Sequence, residues 1–296
     1  MRSSEGALGT RRTAVLGRSS HSRAKLDVDR PNPGRVYDWF LGGNSNWAID
    51  RVFGQRLLGM WPQAAGVARQ NRSFMQRVVT DALDAGIHQF LDLGSGIPTM
   101  GNVHEILQLR TSEPVRVVYV ECDPVAAAHT RAYLQHTDWA GVTQADLLNW
   151  REVLADVTTQ RLLDLDQPVC LLAVSALQFV GPDDNIADVL RRYGSELAPG
   201  SRIALSHFAS DVPDPLSRAA MERFRTAYGA IKPVWLRDRG TITDWFDGLG
   251  DQWTLLNPGV AQLPDWCPDL IAHPKATAQA ETERPYAWCG VAAHDN

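Results

Sequence analysis

The stretch QFLDLGSGIPT, residues 89–99, carries the strongest indication of a fold in this chain. Its opening residues are mostly apolar, as in a strand covered on both faces, and Gly94 and Gly96 then allow a tight turn. Open α/β sheets bind ligands where such a strand ends and a helix begins, with bare backbone amides facing the ligand. The dinucleotide fingerprint requires a third glycine, and Thr99 stands in its place, which disfavours NAD and FAD.

On the carboxyl side of this stretch, short apolar runs alternate with segments of helical character. Further strands are predicted at 115–120, 142–145, 169–174, 201–205, 253–256 and 287–292. Helices are predicted at 104–109, 124–136 and 186–197. Strands and helices that alternate in this way form an α/β sheet with right-handed crossovers. The sequence therefore predicts a Rossmann-like, mostly parallel sheet of seven strands.

The segment ahead of the first strand is predicted to be helical. Apolar residues recur at three- and four-residue spacings over 47–58 and 64–83, the pattern of amphipathic helices. We divide the chain into a disordered tail, an N-terminal helical cap and a Rossmann-like domain, with bounds 1–28, 29–86 and 87–296. The Gly42-Gly43 pair fits either a lid that closes over a ligand, together with Tyr37, or helices that only pack on the sheet.

Composition argues against several classes of protein. The 296 residues carry a net charge of −5, from 29 Lys+Arg and 34 Asp+Glu, which disfavours a dedicated nucleic-acid-binding protein. The four cysteines are widely spaced and no zinc-ligand pattern is present, so no metal is expected. Cys122 and Cys170 lie in apolar runs and are expected to be buried. Without a long apolar run or a secretory signal, the expected compartment is the cytoplasm, with no membrane span.

Three acidic residues stand at or near the ends of successive predicted strands. Asp92 lies in the first strand, Glu121 ends the second, and Asp146 follows the third. Because the carboxyl ends of parallel strands meet at one edge of a sheet, these carboxylates are expected beside the glycine turn. A carboxylate there can accept hydrogen bonds from both hydroxyls of a ribose. Singly, each acid is more often a helix cap or a solvated residue, but three in succession favour a ligand site.

Residues 90–147 resemble the cofactor half of class I S-adenosylmethionine-dependent methyltransferases. Other stretches resemble one domain family of S-adenosyl methyltransferases, of actinobacterial type: RPNPGRVYD (30–38) with LGGN (41–44), GNVHE (101–105) and VYVECDP (118–124). The segment from Gly200 to His207 belongs to the same pattern. The resemblance spans roughly residues 29–292. It implies a methyltransferase whose cofactor is S-adenosyl-L-methionine.

The resemblance implies a role for each residue around the methionine end of that cofactor. Gly94 and Gly96 would pass under the methionine part, with Asp92 near its amino group. Ser175, which ends the fourth predicted strand, would border the same end. Gln178 stands where the family pattern has a histidine. If that histidine acts as a general base, this chain lacks it.

At the adenosine end, the resemblance implies three further contacts. Glu121 would bind the ribose, in the place of the aspartate expected in this group, and both acids perform this role across methyltransferases. Asp146 would bind the adenine amino group, and Leu147 would flank the adenine ring.

The methyl acceptor is not identified by the sequence, and no catalytic residue is assigned. The Asn/Asp-Pro-Pro-Tyr/Phe motif of enzymes that methylate amide or base nitrogens is absent after the fourth predicted strand, so a small-molecule acceptor is expected. His207 is either a base for a hydroxyl acceptor or a structural residue. Trp235, Trp245 and Trp266 either line an aromatic acceptor cavity or belong to the core. The alternatives are a non-catalytic S-adenosylmethionine-binding or regulatory protein and, less favoured, a nicotinamide-dependent oxidoreductase.

Overall fold

The computed structural model describes residues 29–98, 101–270 and 286–295, in which eight strands form one sheet. The strands are β1 (Gln89–Leu93), β2 (Arg116–Val120), β3 (Ala140–Thr143), β4 (Val169–Val174), β5 (Arg202–Phe208), β6 (Trp253–Leu255), β7 (Ala261–Gln262) and β8 (Ala287–His294). Their order is β3-β2-β1-β4-β5-β8-β6, with β7 paired to β8. β1 to β5 pair in parallel, and β8 is antiparallel to its neighbours. The predicted Rossmann-like, mostly parallel α/β fold is confirmed, with the two-residue β7 as an addition.

Helices cover both faces of this sheet. They are α1 (Pro33–Phe40), α2 (Ala48–Met60), α3 (Ala64–Asp84), α4 (Val103–Arg110), α5 (Pro124–Tyr133), α6 (Trp150–Ala155), α7 (Val157–Leu162), α8 (Ile186–Gly194), α9 (Pro215–Tyr228) and α10 (Arg239–Asp247). Successive residues of β1 enter opposite cores, Phe90 on one face and Leu91 on the other, because side chains alternate along a strand. None of the helices in the described parts of the chain combines the length and the apolar composition that a membrane span requires.

The three N-terminal helices are not separate from the sheet. Phe74 and Val78 of α3 belong to the same buried cluster as Cys170 and Leu172 of β4. Apolar burial of this kind contributes about 25 cal/mol per Å² and fixes these helices against the sheet. The division of the chain into a helical cap and a Rossmann-like domain stays a prediction. The predicted tail, 1–28, lies outside the described residues.

The third strand ends earlier than the sequence predicts. Its ladder with β2 stops at Thr143, whereas the apolar run extends to Ala145, which is buried beyond the strand end. Asp146 therefore lies in the following loop rather than at the strand end.

The two cysteines that were predicted to be buried differ in exposure. Cys122 follows the end of β2 and is exposed, so its predicted burial is wrong, while Cys170 is buried as predicted.

The Gly42-Gly43 pair ends α1. Gly42 has φ +80°, and its amide donates to the carbonyl of Trp39, as expected for a residue that follows a helix in the left-handed region. Gly43 donates to the carbonyl of Asp38, and a Cβ at Gly43 would overlap the Asp38 carboxylate. This aspartate is buried and accepts a hydrogen bond from Asn46. The two glycines are thus explained by a helix terminus and a close contact, which favours the packing alternative over a hinge.

Candidate functional site

A cavity of about 680 Å³ opens at the carboxyl ends of the parallel strands, a volume typical of small-molecule sites. All the residues predicted for the cofactor site line it: Asp92, Gly94, Gly96, Glu121, Asp146, Leu147 and Ser175. The order of the strands explains this convergence, since β1 lies between β2 and β4 and β3 is next to β2. Thr99, on which the argument against a dinucleotide rests, lies outside the described residues.

Glu121 is held by backbone amides on both of its carboxylate oxygens. Oε2 accepts the amide of Gly96 at 2.8 Å, and Oε1 accepts the amide of Asp123 at 2.8 Å. The residue is only 8% exposed, so its orientation is fixed within the cavity wall. Each carboxylate oxygen can accept a second hydrogen bond. The arrangement leaves Glu121 able to accept two hydroxyl groups from a ligand.

The glycine turn is present as predicted, but its backbone amides are bonded differently from the prediction. Gly94 and Gly96 have φ of +70° and +67°, which confirms a turn that favours glycine. The amides are not bare, however, because those of Gly94 and Ser95 donate to the carbonyl of Val120. A Cβ at Gly94 would lie 2.7 Å from the Cβ of Ala176. Close packing against the residues that follow β4 therefore requires this glycine, independently of any ligand.

Asp92 is a buried acid near the carboxyl end of β1. It is 8% exposed, and none of the described residues donates a hydrogen bond to its carboxylate. Burial raises its pKa to about 7, the charge of Arg72 opposes this, and the charge of Glu121 adds to it. A buried carboxylate of this kind is stabilised by a cation that reaches it. The position suits the ammonium group of an amino acid.

Asp146, which is exposed, and Leu147, which is half-buried, form one edge of the cavity. The Asp146 Oδ1 accepts the amide of Leu148 at 3.0 Å, which orients the side chain through a short local turn. The Leu147 carbonyl accepts the Tyr193 hydroxyl at 2.9 Å, so the backbone here is tied to α8. A fixed carboxylate next to an apolar side chain is suited to a planar nitrogen heterocycle.

Ser175 lies at the opposite wall, in a strained conformation with φ +58°. Its amide donates to the Ser206 hydroxyl at 2.9 Å, and its own hydroxyl accepts the Gln178 amide at 3.0 Å. The Ser206 hydroxyl in turn donates to Asn71, whose side chain donates to the Tyr37 hydroxyl at 3.0 Å. This chain of hydrogen bonds connects α1 and α3 to the strand ends.

The residues that precede and begin α1 cover the cavity at the β2 side. Asn32 caps α1 and also donates to the Asp123 Oδ2 at 3.0 Å. Gly34 packs against the glycine turn, because a Cβ there would lie 3.2 Å from the amide of Ile97. The quoted stretch 30–38 therefore contributes a wall of the site, which periodicity alone did not indicate.

An aromatic wall, defined as Phe179, Phe208, Phe224 and Tyr228, lines the remaining part of the cavity. The sequence does not reveal this wall, because its rings come from elements far apart in the chain. None of the three tryptophans considered as acceptor-site residues lines the cavity. Trp266 is fully buried against Phe74, and Trp245 packs on His207.

His207 is a structural residue. It is 1% exposed and does not line the cavity. Its Nδ1 donates to the Phe208 carbonyl at 2.9 Å, and its Nε2 accepts from Arg237 at 2.9 Å. Burial lowers its pKa to about 4, so the ring is neutral at physiological pH. These contacts exclude His207 as the base that acts on a ligand in this cavity.

We find no candidate metal site within residues 29–98, 101–270 and 286–295. No group of three or more histidine, cysteine, aspartate or glutamate side chains there is arranged to hold an ion.

Comparison with known proteins shows the family and the fold of this chain. The sequence profile of the S-adenosyl methyltransferase family matches residues 19–295. The solved structure of a candidate methyltransferase from Thermobifida fusca YX is 31% identical, with a TM-score of 0.78 over 94% of this chain and 100% of that one. A DUF574 family protein from Streptomyces avermitilis MA-4680 is 29% identical, with a TM-score of 0.77 over 90% of this chain and 99% of that one. No curated protein matches the chain in sequence.

Proposed function

Because this chain belongs to the S-adenosyl methyltransferase family and uses S-adenosylmethionine as its methyl donor, we propose that it methylates a small molecule bound in the cavity described above. The observation that supports this most strongly is the set of three carboxylates, in or just beyond the first three strands, that line one cavity with the glycine turn. A dinucleotide oxidoreductase would not need the carboxylate of Asp146 beside the third strand.

The residues of the cavity fit the cofactor. Asp92, whose pKa is raised to about 7 by burial, would receive the ammonium of the methionine part. Glu121 would accept the two ribose hydroxyls with the lone pairs that its backbone contacts leave open. Asp146 and Leu147 would bind the adenine amino group and ring. Gly94 and Gly96 would give the chain its close approach to the methionine, and Ser175 would border it.

S-adenosylmethionine supplies a methyl group on a positively charged sulfur, which leaves as a neutral thioether when the acceptor attacks. The protein's part is to align the acceptor with that methyl group and to exclude water. The walls formed by α1, the residues before it and the aromatic side chains are suited to both tasks.

A small acceptor is proposed because the cavity is closed on several sides. The N-terminal wall at Asn32 and Gly34 meets the aromatic wall at Tyr228, and together they leave room for a ligand of metabolite size beside the cofactor. A macromolecular acceptor would need an open approach for a projecting side chain or base. The net charge of −5 also disfavours a nucleic acid.

The proposal is tested by incubating the protein with methyl-labelled S-adenosylmethionine and a fractionated metabolite extract. Transfer of label to a compound below the size of a peptide supports it. Label that appears only in a protein or nucleic-acid fraction contradicts the small-molecule assignment. Formation of S-adenosylhomocysteine with the label recovered only as methanol would identify water as the acceptor and contradict transfer to a metabolite. A calorimetric titration with NAD serves as the control for the oxidoreductase alternative, and no binding is expected.

A further inference from the structure

The cavity has two chemically different halves. Carboxylates and the glycine turn line the half at the ends of β1, β2 and β3. The aromatic wall lines the other half, which is formed by the end of β5, by α9 and by the turn after β4. If the cofactor occupies the acidic half, as the proposed function requires, the acceptor is left with the aromatic half.

The aromatic wall is a continuous row of rings. The ring centroids of Phe208 and Phe224 are 6.0 Å apart, those of Phe224 and Tyr228 are 5.5 Å apart, and those of Tyr228 and Phe179 are 6.0 Å apart. Such spacings allow a further flat ring to pack against the row with favourable offset or edge contacts. The Tyr228 hydroxyl is directed to the carbonyl of Pro33, so this side chain presents its ring rather than its polar end to the wall.

A lysine side chain lies at the Phe179 end of the row. The Lys232 Nζ lies 4.9 Å from the Phe179 ring centroid, and the side chain is half-buried in the cavity wall. Within the described parts of the chain, no acidic side chain forms an ion pair with it. A half-buried ammonium beside an aromatic row attracts an anion at the end of a flat molecule.

We propose that the methyl acceptor is a flat aromatic molecule with an anionic group, its ring packed on the aromatic wall and its anion at Lys232. The positive charge of Lys232 has a second consequence for the site. The carboxylates of the cofactor half would repel an anionic acceptor, and the positive charge of Lys232 offsets that repulsion. The inference rests on the proposed function, because it assigns the acidic half to the cofactor.

The experiment measures binding to the protein saturated with S-adenosylhomocysteine. The probes are mono- and bicyclic aromatic carboxylates such as benzoate and 2-naphthoate, each paired with its neutral carboxamide, titrated by calorimetry. We expect at least one carboxylate to bind about tenfold or more tightly than its carboxamide. The Lys232→Met variant should lose this preference, and Lys232→Arg should retain it. Phe179→Leu should weaken the acid and the amide alike.

Two controls separate this inference from the function on which it rests. Arg223→Met removes the same charge from an exposed site on α9 and should keep the preference for the carboxylate. S-adenosylhomocysteine should bind the wild type and Lys232→Met with affinities within about twofold of each other. Acids and amides that bind equally, or not at all, to the loaded protein overturn the acceptor inference and leave the methyltransferase assignment intact. Weakened S-adenosylhomocysteine binding in Lys232→Met would assign this lysine to the cofactor instead. Failure of the wild type to bind S-adenosylhomocysteine would overturn both.

Discussion

The carboxylate of Glu121 accepts the amide of Gly96 at 2.8 Å, so the acid at the end of β2 and the turn after β1 form one unit. The second oxygen accepts the amide of Asp123 at 2.8 Å, which also fixes the start of α5. The acid is thus already oriented when a ligand arrives, which lowers the entropic cost of binding.

Replacement of Glu121 should weaken cofactor binding. Glu121→Ala removes the acceptor of two ribose hydroxyls and should cost about 1.5–3 kcal/mol of S-adenosylhomocysteine binding. Glu121→Asp should also lose affinity, because a shorter side chain cannot reach both Gly96 and Asp123. Calorimetric titration measures both effects, with the exposed Glu196→Ala as the matched control. Unchanged affinity in Glu121→Ala would put the cofactor elsewhere.

Asp92 should give the ligand-free protein an unusual dependence of stability on pH. Its pKa rises from 3.8 to about 7 on folding because it is buried, so the folded state binds a proton that the unfolded chain releases between these values. The contribution of Asp92 to stability therefore falls as pH rises through this window. Asp92→Asn removes the buried charge and should stabilise the ligand-free protein at pH 8 by up to about 4 kcal/mol, at about 1.4 kcal/mol per pKa unit.

The same variant should bind S-adenosylhomocysteine more weakly, since the ammonium loses its carboxylate partner. Thermal melts with and without ligand measure both effects, and the exposed Asp251→Asn should change neither. A destabilised Asp92→Asn at pH 8 would mean that the carboxylate is already neutralised in the ligand-free protein.

The sequence predicts the acidic residues of the site but not its aromatic wall. Asp92, Glu121 and Asp146 could be assigned because each lies at or near the end of an apolar run, and parallel strands bring such ends together. The aromatic wall could not, because Phe208 and Phe224 meet only through the packing of α9 against the end of β5. The hydrophobic pattern of the sequence indicates which residues are apolar, but it does not indicate which of them face a cavity.

The glycine pair after α1 also shows what the sequence pattern cannot predict. A glycine pair suggests flexibility from the sequence, whereas the reason for Gly43 is the buried carboxylate of Asp38 several residues earlier. That contact depends on a side-chain orientation, which the spacing of residues does not specify.

Gly43→Ala should therefore destabilise the fold more than Gly42→Ala. The added Cβ at Gly43 meets the Asp38 carboxylate, while the space beside Gly42 is open. At Gly42 the cost comes from the φ of +80° and should be about 1 kcal/mol. Urea denaturation gives the two free energies of unfolding. Equal losses of unfolding free energy in the two variants, or a changed affinity for S-adenosylhomocysteine in the folded Gly42→Ala variant, would favour a hinge.

His207 should not titrate in the physiological range. Burial lowers its pKa to about 4, so the stability it contributes is present above its unfolded pKa near 6.5 and is lost as pH falls towards 4. Carbon-13 chemical shifts of the His207 ring should stay constant between pH 5.5 and 8. A ring that titrates near its ordinary pKa would reopen a role for it in proton transfer.

Asn32 should control how quickly the cofactor leaves. It caps α1 and donates to Asp123 at 3.0 Å, next to the ribose acid. Asn32→Ala should cost about 1 kcal/mol of stability through the lost cap and should speed the dissociation of S-adenosylhomocysteine in stopped-flow experiments. Asp238→Ala removes a comparable cap from α10, outside the cavity, and should lower stability without changing the dissociation rate. Equal dissociation rates in both variants would remove the N-terminal wall from the binding site.

A crystal structure of the protein with S-adenosylhomocysteine shows where the cofactor lies in the cavity. We expect both ribose hydroxyls within hydrogen-bond distance of Glu121, the methionine ammonium at Asp92, and the adenine between Asp146 and Leu147. We also expect an arrangement in which the aromatic wall stays free of the cofactor. Ligand bound against Phe179 and Phe224 with the three acids uncontacted, or bound outside the cavity altogether, would contradict it.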